Sequence, residues 1–138
     1  MTTASTAIDT SHDLDLDMPK GLSAKGKKAH AIIVEFLKAR ELTYTGGCTA
    51  FYAPAEWRKR GEEYGKQSEL IVVYDGGNLR PVFSMDAAYD LDCAVYAEFG
   101  ASATREPYAL YEAMQAKLRE AGFYVEECTS YYAAVYVA

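Results

Sequence analysis

The chain has 138 residues, half of them apolar, and 14 Lys and Arg against 20 Asp and Glu give a formal net charge of −6. That length suits a single domain whose core needs no metal or disulfide for stability. The acidic balance argues against non-specific binding to nucleic acid or to an anionic membrane, since both need clustered cations. No apolar run approaches the roughly 20 residues of a bilayer-spanning helix, and no internal repeat is visible. The cysteines, Cys48, Cys93 and Cys128, are odd in number and none shares a C-x-x-C spacing, so no disulfide framework is expected. The start of the chain lacks the basic-then-apolar pattern of a signal peptide. The expectation is a cytoplasmic protein with reduced thiols and no cofactor.

Residues 1–20 are rich in Thr, Ser and Asp and read as a disordered acidic tail ahead of a domain over 21–138. The tail either solubilises the chain or serves as a docking arm. Ser23 is placed to cap a helix over about 23–41, in which Ala29, Ile32, Ile33, Phe36 and Leu37 recur at helical spacing. Gly26 is a weakness in its first turn. Leu42 to Tyr52, with Gly46-Gly47 at its centre, reads as a hairpin, and Pro54 opens a short helix to Arg60. Leu70 to Tyr74 is a nearly continuous apolar run and predicts a central strand covered on both faces. Asp75-Gly76-Gly77-Asn78 then makes a turn, and Leu79, Val82 and Phe83 return as its partner strand.

Residues 84–99 fit helical spacing (Ala87, Leu91, Val95, Phe99) and also strand alternation, and their alanine content favours helix. Glu106-Pro107 opens a further helix to Ala121, with Gly122 as its stop. Phe123 to Val137 gives a closing hairpin. This order predicts an α+β fold: an antiparallel or mixed sheet built from hairpins, with two to four helices packed on one face.

Few residues point to chemistry. His12 falls in the tail and His30 on the first helix, where a place at the core edge is the simplest reading. No G-x-S-x-G elbow is present, although acidic or lysine bases keep a catalytic reading open. The cysteines and histidines are too dispersed for a zinc site, and Asp86, Asp90 and Asp92 do not follow calcium-loop spacing. No catalytic or metal-ligating residue is assigned.

The unusual feature is the count of 12 tyrosines. Tyrosine suits half-buried strands and also supplies rigid, amphipathic contact area at interfaces. Tyr52, Trp57, Tyr131 and Tyr132 are the candidate interface residues. Adjacent residues of a strand face opposite ways, so one of Tyr131 and Tyr132 is expected to face solvent or a partner. Asp75, Asn78 and Glu126 are the candidate polar anchors if a ligand pocket exists.

Gly46-Gly47 followed by Phe51-Tyr52-Ala53-Pro54, and Ser84-Met85-Asp86-Ala87-Ala88 opening an apolar segment, resemble the ArdB-type (KlcA-like) antirestriction proteins carried by plasmids and phages. The closing hairpin from Phe123 departs from that family, which ends in helices. The resemblance implies a non-catalytic inhibitor of bacterial host defence made by a mobile element, and no functional residue is carried over from it. The expected function is a small protein-binding accessory protein with a host-defence or nuclease subunit as partner. The alternative is a small-molecule-binding domain or enzyme with a tyrosine-lined pocket. An edge-to-edge homodimer through the last hairpin is a further expectation, because the C-terminal strand carries no charged guard.

Overall fold

A computed structural model of the chain describes residues 16–75, 79–85 and 109–138. Helix α1 spans Ala24–Ala39. Ser23 caps it, its hydroxyl accepting the Gly26 N–H at 3.0 Å, and the same hydroxyl donates to the Glu69 carboxylate at the start of the second strand. The helix closes without a glycine. The Glu41 N–H donates to the Lys38 carbonyl and the Leu42 N–H to the Leu37 carbonyl, with Glu41 at φ 57. This is the paired-bond helix stop that usually takes glycine at its left-handed position. It turns Leu42 inward, where it joins Leu37 in the core.

That closure explains why no hairpin spans Leu42 to Tyr52, as the alternation there suggests. Leu42 is consumed in ending α1, and only Phe51–Tyr52 forms a strand, β1. Gly46 and Gly47 do turn the chain, both with positive φ. Helix α2, Pro54–Lys59, follows with proline at its start, where the missing N–H costs nothing. Strand β2 is Leu70–Val73. Residues 79–83 also depart from expectation: Arg80–Phe83 is a helical turn, α3, not the partner strand of β2. Pro81 has no N–H for a ladder but fits a first helical turn, and both sides of β2 are filled by other strands.

Helix α4 is Ala109–Glu120, inside the expected 106–121. Strands β3, Phe123–Glu127, and β4, Tyr132–Val137, form the predicted closing hairpin. The sheet order is β1-β2-β4-β3, antiparallel throughout, so the fold is α+β. β4 lies between β2 and β3; the C-terminal strand therefore has no open edge, and the outer strand of the last hairpin is β3.

Alternation divides the sheet's side chains between two cores. On one face Phe51, Leu70, Val72, Phe123, Ala133 and Val135 pack against α1, α3 and α4 through Ala29, Ile33, Phe36, Leu37, Val82, Phe83, Met114 and Leu118. On the other, Ile71, Tyr132 and Ala134 pack against Trp57 of α2. The 61–68 loop lies over this second face. A Cβ on Gly65 would sit 2.7 Å from Ile71 Cδ1 and 3.1 Å from Ala134 Cβ, so the loop descends that closely only because residue 65 has no side chain.

Leu16 is 2% exposed and belongs to the main core. Leu16 to Lys20, assigned to the acidic tail on sequence, are therefore part of the fold. Residues 1–15, Asn78, the ambiguous 84–99 segment from Asp86 on, and Cys93 lie outside the described residues.

Candidate functional site

Tyr52, Tyr131, Tyr132 and Tyr136 gather on the face of the sheet opposite the long helices, and α2 decides the arrangement at the β1 end. Trp57 is one turn into a helix too short to stand alone, so the indole anchors it. Its ring centroid lies 4.8 Å from that of Tyr52 and 4.9 Å from that of Tyr132. The Arg60 guanidinium covers this pair, 4.8 Å from the Trp57 ring and 5.0 Å from the Tyr52 ring, in cation–π contact. The Trp57 indole N–H has no well-formed hydrogen bond, although it lies near enough to the Tyr132 phenol to favour its ionised form. Burial outweighs that effect and raises the Tyr132 pKa.

Several sequence-based assignments change here. Trp57 at 2% and Tyr132 at 0% exposure are core residues; neither presents its ring to a partner in the free chain. Tyr131 and Tyr132 do not split between faces. Tyr131 precedes β4, where strand alternation does not apply, and its ring meets that of Tyr132 edge-on at 5.1 Å. The Tyr131 hydroxyl donates to Glu62 at 2.9 and 3.0 Å, and this bond chiefly raises its pKa. Tyr52 is half-buried and Asp75 exposed at the end of β2; the structure does not bring Asp75 to the aromatic face.

The open part of this face is formed by Tyr124 and Tyr136, outside the four interface candidates, and by Glu126, one of the expected polar anchors. Tyr124 and Tyr136 are directly opposite across β3 and β4, stacked with centroids 5.2 Å apart and planes 14° from parallel. The Tyr136 hydroxyl donates to Glu126 Oε1 at 3.1 Å. Burial, then the bond to Glu126, pushes the Tyr136 pKa up to about 12. Tyr124 is 51% exposed, as is Tyr64 on the covering loop. Tyr124 and Glu126 share a face by their i, i+2 spacing, which was readable in sequence; the partnership with Tyr136 required the hairpin register.

Among the described residues, neither Cys128 nor His30 is primed for nucleophilic chemistry. The Cys128 thiol is pushed up to about 11 by burial and by Glu126, the opposite of an activated thiolate. His30 is buried, with Nε2 2.8 Å from the Leu16 carbonyl, and opens onto no cleft described. Among the described residues, no three His, Cys, Asp or Glu side chains converge as a metal site, and no helix is long and apolar enough to cross a membrane. A cleft of about 300 Å³ is lined by Arg80, Ser84, Glu127, Cys128, Thr129 and Ser130, and one of about 400 Å³ runs beside Glu35, Phe36, Ala39, Arg40, Ala113 and Lys117. Neither has a tyrosine among its described lining residues.

No protein-family model, curated protein or solved structure matches the chain.

Proposed function

We propose that this chain is a non-enzymatic accessory protein that binds another protein through the tyrosine-rich face of its sheet, and that it acts as an inhibitor of bacterial host defence carried by a mobile element. The observation that carries the binding reading is the stacked, half-open Tyr124–Tyr136 pair with its acceptor Glu126. Rigid aromatic rings with a polar rim suit protein recognition, because little side-chain entropy is lost on contact. The raised Cys128 pKa and the enclosure of His30 favour binding over catalysis. The antirestriction part rests on the sequence resemblance at Gly46–Pro54 and Ser84–Ala88.

Two readouts in a restricting bacterial host test the proposal. Unmodified phage is expected to plate more efficiently when the chain is expressed than with empty vector. The tagged chain is expected to retain a stoichiometric defence subunit that its Tyr124→Ala variant loses. Unchanged plating and no retained subunit, with the chain accumulating in folded form, overturns the proposal.

A further inference from the structure

Among the described residues, the hydrogen bonding of β3 leaves one side of it open. Ala138 N–H donates to the Gly122 carbonyl and Cys128 N–H to the Tyr132 carbonyl, so the even-numbered residues of this stretch turn their backbone groups toward β4. In an antiparallel ladder the intervening Phe123, Val125 and Glu127 direct theirs away. β3 is the last strand of the sheet, and no described backbone group pairs with that side.

The aromatic face shows what this edge lacks. At the β1 end, Trp57 and Tyr52 are covered by the chain's own guanidinium, Arg60. At the β3 end, Tyr124 and Tyr136 form a comparable pair beside a carboxylate, and no described cation stacks on them. Glu126 Oε1 accepts from Tyr136, which leaves Oε2 available. The chain's net charge of −6 makes a cationic segment the better complement than a second acidic copy.

We infer that β3 receives an extended segment of the protein partner as an added strand, with an arginine of that segment stacked on Tyr124 and paired with Glu126. Strand addition gives affinity through the main chain and specificity through alternate side chains. A strand placed beside β3 at about 4.8 Å sets every second side chain on the Tyr124–Glu126 face and the others alongside Val125. The segment is therefore arginine on one face and apolar on the other. Guanidinium suits the site because it stacks on a ring and pairs with a carboxylate at once.

The inference rests on the protein-binding reading, and its test separates the two. The probe is a fluorescein-labelled Val-Arg-Val-Arg-Val peptide titrated into the full chain and followed by anisotropy. Saturable binding is expected. It should weaken about tenfold with Glu126→Gln or Tyr124→Ala, both substitutions of exposed side chains, an effect in the range of a lost charged hydrogen bond or stacking contact. Binding should also fall when the central valine is N-methylated, and it should be absent for Val-Glu-Val-Glu-Val. Equal affinity of wild type and both variants, no binding at all, or equal binding of the glutamate peptide overturns the inference. So does light scattering that finds a dimer dissociated by Tyr124→Ala, since the edge then belongs to a second copy. If the peptide fails while Tyr124→Ala still abolishes capture of a defence subunit, this inference falls and the protein-binding reading stands.

Discussion

His30 is held neutral by its surroundings. Nε2 faces the Leu16 carbonyl at 2.8 Å, the ring meets Phe51 edge-on at 4.6 Å, and Nδ1 is buried with no hydrogen-bond partner. A second proton would sit on Nδ1 with no acceptor. Burial therefore lowers the His30 pKa, outweighing the Leu16 and Asp17 contacts that raise it. The unfolded chain takes up this proton near the ordinary histidine value of about 6.5, while the folded chain resists it. The stabilisation is fully present above that value and is lost as pH falls through it toward the lower folded pKa. Urea midpoints are expected to fall between about pH 7 and pH 5, more steeply in the wild type than in His30→Gln. Equal slopes would contradict this role. Tyr74 shows a related economy: its buried hydroxyl lies 3.1 Å from the Thr129 carbonyl and 3.2 Å from the Tyr132 carbonyl, and so ties the β3–β4 turn to the end of β2.

At the scale of single elements, one position within α1 and one just past its end reverse what propensity suggests. Gly26 looks like a defect, since alanine there would favour a helix by about 1 kcal/mol. Yet a Cβ at residue 26 would press against the Glu69 backbone carbonyl, well inside contact distance, and a backbone oxygen in the sheet cannot swing aside. Overpacking of this kind costs about 1–3 kcal/mol, so Gly26→Ala is expected to lower the melting temperature. Glu41 is the converse case: at φ 57 it holds a conformation that costs a side-chain-bearing residue about 1–2 kcal/mol. Glu41→Gly is expected to stabilise by up to about 1 kcal/mol once glycine's greater freedom in the unfolded chain is subtracted. Thermal unfolding of the two variants should show opposite shifts. The sequence disclosed the cap at Ser23 and the periodicity of α1 because both are local signals. It did not disclose why residue 26 is glycine, because the reason lies 43 positions away at Glu69. The same division explains the two misread segments. Leu42 to Tyr52 and Leu79 to Phe83 have apolar residues at strand-like spacing, but Leu42 closes a helix and Pro81 starts one.

Across the whole molecule, four tyrosines share a response to alkali. Tyr74, Tyr131, Tyr132 and Tyr136 all have raised pKa values, through burial in three cases and chiefly the Glu62 bond at Tyr131. A raised folded pKa means that the folded state holds its proton longer than the unfolded one. The resulting stability is complete below the ordinary tyrosine value of about 10 and is lost as pH rises through the folded values. Phenolate absorbance is expected to rise cooperatively above about pH 10, together with a change in Trp57 fluorescence as its contact with Tyr132 breaks. A titration that finishes without such a step would count against the folded surroundings assigned to these four rings.

By itself the sequence determined the α+β class, the span of α1, the short proline-led α2, α4 and the closing hairpin. Each rests on caps, turns or periodicity within a dozen or so neighbouring residues. Only the tertiary structure decided that β2 pairs with β4, some 60 positions away, that Trp57 is an anchor inside the sheet's second core, and that the open aromatic pair is Tyr124 with Tyr136. Strand order and register are set by which faces bury one another, and a pattern of period two or 3.6 records that a face is apolar without recording what covers it.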